Sequence, residues 1–390
     1  MSDILSQSFT VSFNYNIHFT SGLFNIANPV VNSFLSLNRV PGIQQKILFV
    51  VDRGVIDHHP TLAHDIAAYF ETYPRVQPVS EILVITGGEA AKNDYKLLDQ
   101  ILEAINRHGI DRHSYLAAIG GGSVLDLAGM AAAIAHRGIK HIRIPTTVLS
   151  QNDSGIGVKN SINYFGKKNF IGTFAPPVVV FNDELFLTTL SQRHWRSGMA
   201  EAIKVALVKD ANFFNWLEEN AMALANRDLP VMNYLIKRCA ALHLEHIRSG
   251  DPFETGSARP LDFGHWSAHK LEQLTYYEVM HGEAVAMGIA LDSMYSTLAM
   301  GFSTADADRV ISLIQNLGFA ITHPFMQVAQ PDSPLLKGLE EFREHLGGQL
   351  TITLLQGIGN GVEVHEVNTE KLMEASGLIQ QKVVMASEVS

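Results

Sequence analysis

A chain of 390 residues with 46% hydrophobic and 17% charged residues can bury two substantial cores and is not of disordered composition. Its net charge of −10 argues against a non-specific nucleic-acid binder while leaving room for a local phosphate pocket. Cys239 is the only cysteine, which excludes an intrachain disulfide and a cysteine-rich metal site. No signal peptide is readable after Met1 and no apolar run reaches membrane-spanning length. The expectation is a soluble cytoplasmic protein with no nucleic-acid or membrane partner.

Residues 8–20 alternate apolar with polar, as in a half-buried strand or hairpin. The apolar run Lys46 to Val51 predicts a buried strand ending at Asp52, at the mouth where open α/β sheets bind ligands. His58 and His59 before Pro60 read as a turn, followed by a helix from Pro60 to Tyr73. A strand from Glu81 to Ile85 leads into Gly87-Gly88-Glu89 and Lys92, and a helix from Asp94 to Asn106 precedes the strand Leu116 to Ile119. Such alternation predicts a largely parallel sheet covered on both faces.

The stretch from Leu116 to Asn169 organises the chain. Its strand runs into Gly120-Gly121-Gly122-Ser123, a glycine turn that lets a helix N-terminus approach an anion. Asp126 either takes a ribose hydroxyl or caps the helix. Beyond a second strand lie Pro145-Thr146-Thr147, the polar run Asp153 to Lys159, and Lys167-Lys168-Asn169. A strand from Val178 to Phe181 follows, and from Arg193 long amphipathic segments dominate until the strand-like Leu350 to Leu355. This predicts an α/β domain over residues 1–190 and a mainly helical domain over 191–390, with a frayed tail from Lys382.

Among 17 histidines, His265 and His269 lie one helical turn apart, and Glu201 precedes Lys204 by three residues on another helix. With His281, one carboxylate and imidazoles from separate helices suit a catalytic zinc with one open position. The same spacing also fits histidines hydrogen-bonded within a core. His243 and His246 read as structural. Lys159, Lys168, Asn169, Lys204, Arg259 and Arg137 can hold a phosphorylated substrate, against the plainer reading of solvated lysines and arginines.

In this order, these motifs resemble the dehydroquinate synthase family of sugar phosphate cyclases from about Lys46 to Gly361. The resemblance rests on Gly87-Gly88-Glu89 with Lys92, Gly120-Gly121-Gly122 with Asp126, Pro145-Thr146-Thr147, Asp153 to Lys159, Lys168-Asn169, Gly198 to Lys204, Phe263-Gly264-His265 and His281-Gly282-Glu283-Ala284. It implies a Rossmann-like NAD-binding domain, a helical metal-binding domain and a homodimer. It also implies Zn²⁺ ligands Glu201, His265 and His281, with cobalt or manganese also accepted, and a proton-transfer or supporting role for His269. Asp153, Lys159, Lys204 and Asn169 would surround the carbocycle, with phosphate on Lys168, Arg259 and Arg137, the last from a partner subunit. NAD would contact Asp52, Glu89, Lys92, Gly121, Gly122, Ser123, Asp126, Thr146, Thr147, Lys159, Lys168 and Thr189. The implied reaction oxidises a substrate carbinol, eliminates phosphate, returns the hydride and closes a carbocycle by an aldol step.

Two positions depart from the 3-dehydroquinate synthase pattern: Asp262 where Asn is expected, and Glu245 where a substrate-binding Lys is expected. Both add carboxylates, which repel a carboxylate substrate and accept hydrogen bonds from a neutral polyol such as sedoheptulose 7-phosphate. The segments Leu261 to His265 and Gly338 to Gly348 resemble the 2-epi-5-epi-valiolone synthase branch, whereas His269 matches dehydroquinate synthase and Trp266 neither. The competing readings are 3-dehydroquinate synthase acting on the 3-deoxy-heptulosonate 7-phosphate, a glycerol dehydrogenase-like polyol dehydrogenase, and a non-catalytic scaffold.

Overall fold

A computed structural model of the chain describes residues 4–249, 252–253, 260–345 and 348–389. Its strands are β1 (Asn16–Thr20), β2 (Lys46–Asp52), β3 (Gln77–Ile85), β4 (Tyr115–Gly120), β5 (Lys140–Pro145), β6 (Lys159–Tyr164), β7 (Lys167–Phe174), β8 (Val179–Asp183), β9 (Ile352–Gly357) and β10 (Asn360–Val364). The first helices are α1 (Val30–Leu37), α2 (Arg53–His58), α3 (Leu62–Thr72), α4 (Tyr95–His108) and α5 (Gly122–Ile134). Then come α6 (Gln192–Lys209), α7 (Ala211–Glu219), α8 (Ala221–Ala225), α9 (Leu229–Arg248), α10 (His265–Leu274), α11 (His281–Met300), α12 (Thr304–Asn316), α13 (Lys337–His345) and α14 (Thr369–Val389).

Six strands form a parallel sheet in the order β1-β8-β5-β4-β2-β3. Side chains alternate along β2: Ile47, Phe49 and Val51 pack with α1 and α3, while Leu48 and Val50 pack with α4 and α5. From β2 the chain passes to β3 and then returns to the other side of β2 as β4. The order therefore reverses between β2 and β4, where Asp52 and Gly120 end their strands. Crevices at such a reversal are where open α/β sheets bind ligands.

Several local expectations need revision. The alternating segment forms a strand only over Asn16–Thr20, because its partner β8 offers five residues, Val179 to Asp183, to pair with. Asp52 accepts a hydrogen bond from Gly54 N at 2.9 Å and so starts an unforeseen helix, α2, ending at His58. The basic segments Lys159 to Asn169 form the β6–β7 hairpin, whose turn holds Phe165 and Gly166 at φ 51° and 71°. Phenylalanine gives no turn signal at such a position, so the hairpin was not legible. The tail continues as α14 to Val389, with Lys382 Nζ 2.6 Å from Asp308 Oδ1.

Helices α6 to α14 enclose a second core that also takes in Val148 and Leu187 from the preceding part of the chain. Within it, α10 and α11 touch at backbone distance. A Cβ on Gly288 would lie 2.0 Å from Gly264 O, and one on Gly282 would lie 2.0 Å from Ser197 O in α6. Buried Asp292 on α11 accepts from Gly264 N and Trp266 Nε1, both at 3.0 Å, and so fixes the start of α10.

Burial raises the Asp292 carboxyl to about 7, against the two hydrogen bonds that lower it. An acid raised in the folded state contributes stability that is complete below its unfolded value, about 4, and is lost as pH rises through 7. Asp292→Asn, which mimics the neutral acid, is therefore expected to gain on the wild type between pH 5 and pH 8 in urea unfolding. A difference that does not change with pH would refute this. Gly282→Ala is expected to cost about 3 kcal/mol in the same measurement, and to lower zinc stoichiometry because it pushes α11 from α6.

Candidate metal and nucleotide site

Glu201 is fully buried in the middle of α6. Its Oε1 makes no hydrogen bond, although His265 Nε2 and His281 Nε2 lie 3.5 and 3.4 Å away. Two donors about 2.0–2.2 Å from a tetrahedral centre stand about 3.3–3.6 Å apart, so these separations are those of ligands around one ion. The far nitrogens agree with this. His265 Nδ1 lies 3.1 Å from Phe263 O and His281 Nδ1 lies 3.1 Å from Glu272 Oε2, acceptors that keep a proton on Nδ1 and turn each Nε2 towards Glu201. An orphaned buried carboxylate oxygen and two oriented imidazoles fit a divalent metal.

The charges around this point are paired. Lys204 contacts Glu201 Oε2 one turn along α6, and burial, which disfavours its ammonium, is outweighed by Glu201 and Asp153 so that its pKa rises. Lys168 Nζ lies 2.8 Å from both oxygens of Glu272, which likewise raises it against burial. Glu272 in turn is held far below the carboxylate range despite burial, mainly by Lys168 and His281. Burial opposes the His281 imidazolium, but Glu272 pushes its pKa up to about 9. His269 stands beside both imidazoles, its ring centre 5.4 Å from His265 and 5.8 Å from His281, and burial and then Lys168 keep it neutral.

The candidate nucleotide residues lie at the sheet reversal. Gly121 precedes α5, whose first N–H groups, at Gly122 and Ser123, face the crevice end of the helix. Asp52 and Thr147 stand at this turn: Asp52 Oδ2 leaves 2.1 Å for a Cβ on Gly87, and Thr147 Cγ2 leaves 3.5 Å on Gly121. Buried Lys92 joins this region to the hairpin, with Nζ 2.8 Å from Asp126 Oδ2, 3.1 Å from Ser161 Oγ and in contact with Asn169 Oδ1. Asp126 therefore pairs with Lys92 and does not cap α5, which has no side-chain cap. Glu89 accepts from Asn163 at 3.1 Å. Thr146 is buried below the turn, and Thr189 is exposed, 2.9 Å from His59 Nε2.

Arg143, fully buried on β5, donates to Gly155 O, Gly157 O and Lys159 O at 3.2, 2.8 and 2.9 Å. This clamps the loop that carries Asp153 and Lys159. Asp262 is half-buried and acts electrostatically on Lys204. A cavity of about 490 Å³ opens beside the cluster between Lys168, Asn169, His269, Lys270 and Glu341.

Two expected site residues lie elsewhere. Glu245 is exposed on α9 and acts on Lys209; two residues earlier, and so about 200° round the helix, buried His243 takes the inward position. Arg137 is exposed beyond the end of α5, which is about 20 Å long, and just before β5 starts. That is the opposite edge of the sheet from Gly121, so it does not reach the site of its own chain. Arg259 lies outside the described residues.

The chain matches the family models "3-dehydroquinate synthase N-terminal" over residues 82–197 and "3-dehydroquinate synthase C-terminal" over 198–337. The chain belongs to the dehydroquinate synthase-like sugar phosphate cyclases. Its structure is similar to that of 2-epi-5-epi-valiolone synthase from Streptomyces hygroscopicus subsp. jinggangensis, solved with NAD⁺ and Zn²⁺, at TM-score 0.86 and 29% identity over 97% of this chain and 100% of that one. It shares its fold with 2-deoxy-scyllo-inosose synthase, at TM-score 0.75 and 24% identity over 92% and 95% of the two chains. A probable glycerol dehydrogenase from Sinorhizobium meliloti has the fold at TM-score 0.59 and 14% identity over 93% and 96%. Among the described residues, no helix is long and apolar enough to cross a membrane.

Glu272 went unassigned from sequence, although it follows His265 by seven residues and so lies on the same helix face as His265 and His269. Glu272→Gln keeps an acceptor but removes the charge that orients His281. It is expected to weaken zinc binding about 10–100-fold in a chelator competition, and an unchanged affinity would dismiss the role.

Proposed function

We propose that this cyclase takes NAD and a divalent metal, zinc by preference, and converts sedoheptulose 7-phosphate to a carbocycle with loss of phosphate. The observation that carries this reading is the convergence of Glu201, His265 and His281 with the ammonium groups of Lys168 and Lys204. A simple polyol dehydrogenase has no use for such a cradle. The full-length similarity to a 2-epi-5-epi-valiolone synthase solved with NAD⁺ and Zn²⁺ supports the cofactors and the substrate branch.

Glu201, His265 and His281 would hold the metal, and the turn at Gly121, Gly122 and Ser123, with Asp52, Thr146 and Thr147, would hold the dinucleotide. Bound there, the nicotinamide supplies reversible hydride acceptance and the metal supplies Lewis acidity. The chain's own groups do the rest. An ammonium carries three donors; Glu272 takes two from Lys168, which leaves one for a phosphate oxygen. Lys204 and Asn169 stabilise oxyanion character on the carbocycle. Asp153 accepts from a substrate hydroxyl, and neutral His269 moves a proton beside the metal ligands. Asp262 next to Lys204 disfavours a carboxylate on the substrate, which sets the 3-dehydroquinate reading second. With Glu245 away from the cluster, that preference rests on Asp262 alone.

The proposal includes a cytoplasmic homodimer, as the resemblance implies, in which exposed Arg137 is available to a second copy. The test is to offer sedoheptulose 7-phosphate and the 3-deoxy-heptulosonate 7-phosphate separately to zinc- and NAD⁺-loaded enzyme, with Glu201→Ala as blank. We expect a cyclitol and phosphate from the first only, identified by mass spectrometry and NMR. Dehydroquinate from the second would overturn the substrate assignment.

A further inference from the structure

His243 belongs to neither the metal triad nor the lysine cradle, yet it faces both. It is 6% exposed on α9, and its Nδ1 lies 3.3 Å from Asp153 Oδ1. Its Nε2 is buried without a hydrogen-bond partner. Both facts place the proton on Nδ1: the carboxylate needs a donor there, and an N–H on Nε2 would be stranded. Ligating atoms of Asp153, Glu201 and His243 fall within 4.8 Å of one another, which raises the alternative of a second cation. Lys204 speaks against it, because its ammonium already contacts Glu201 and acts on Asp153. The space is taken by a positive charge, and His243 is left with Asp153 alone.

Asp153 needs such a partner. It sits in a single π-helical turn, Ser150–Ser154, with a side chain 29% exposed, so close packing does not by itself fix its rotamer. We propose that His243 is a positioning residue for Asp153: its Nδ1–H holds Oδ1 and leaves Oδ2 free to receive a hydroxyl of the sugar phosphate. This rests on the reading of Asp153 as a substrate-binding carboxylate. Nothing local in the chain links the two, since His243 lies 90 residues from Asp153 on what reads as a polar helix face.

The test compares His243→Leu, which removes the donor, with His243→Asn, whose amide N–H falls near the position of Nδ1. With sedoheptulose 7-phosphate we expect kcat/KM to fall about 10–100-fold in H243L and to recover to within about fivefold of wild type in H243N. Zinc stoichiometry should be unchanged in both. Equal losses in the two variants, or no loss in H243L, would overturn the proposal. A second measurement needs no substrate: urea unfolding midpoints of H243L, D153N and the double variant. Coupled residues predict a double variant no less stable than the weaker single one, whereas additive losses would refute the pairing. If the wild type leaves sedoheptulose 7-phosphate untouched, the substrate assignment fails by itself, and the unfolding cycle still decides whether His243 holds Asp153.

Discussion

The site depends on how closely three helices approach. Glu201, His265 and His281 sit on α6, α10 and α11, and no pair of them is adjacent in sequence. Ordinary side chains keep helix axes 8–10 Å apart. Here Gly282, next to His281, presses on Ser197 O, and Gly264, next to His265, meets Gly288 and Ile289 on α11. The residues beside two of these three side chains are therefore the residues that let backbones touch. Asp292 locks this arrangement from below by taking the two donors at the start of α10. Burying a carboxyl there is unfavourable in itself, and the helices tolerate it because Trp266 Nε1 and Gly264 N would otherwise be unsatisfied.

The electrostatics follow from that approach. Bringing Glu201 and Glu272 into a dry interior is unfavourable unless cations accompany them. Lys204 and Lys168 do so, each raised in pKa by its carboxylate despite burial. Each pair is thus a balanced unit that presents a positive end to the cleft, which suits a ligand that arrives and leaves with phosphate. The imidazoles are oriented from outside by Phe263 O and Glu272, so the chain itself sets the direction of both rings.

Much of this was legible. Strands, glycine turn and helix order in the first half follow from apolar runs bounded by Gly and Asp, and the grouping of Glu201, His265 and His281 follows from motif resemblance. What the sequence hid had physical causes. The β6–β7 hairpin turns on Phe165 in a left-handed conformation that carries no turn signal. Glu245 seemed to face the substrate, but a helix turns 100° per residue, so a register two residues off exchanges the buried and the exposed side. Arg143, alone and mid-strand, reads as a strand residue of unusual charge. Only the fold shows its guanidinium gathering the carbonyls of residues 155, 157 and 159.

The β6–β7 hairpin ends up tied at both ends. Lys92 grips Asn169 from the nucleotide side, while the neighbouring Lys168 is gripped by Glu272 from the helical side. Two consecutive residues of one strand thus carry the tension between the halves of the molecule. Moving the hairpin away from either half costs it one of these contacts, the Lys92–Asn169 hydrogen bond or the Lys168–Glu272 ion pair. An anion taken by the third N–H of Lys168 would therefore meet the hairpin at the same residue that ties it to α10.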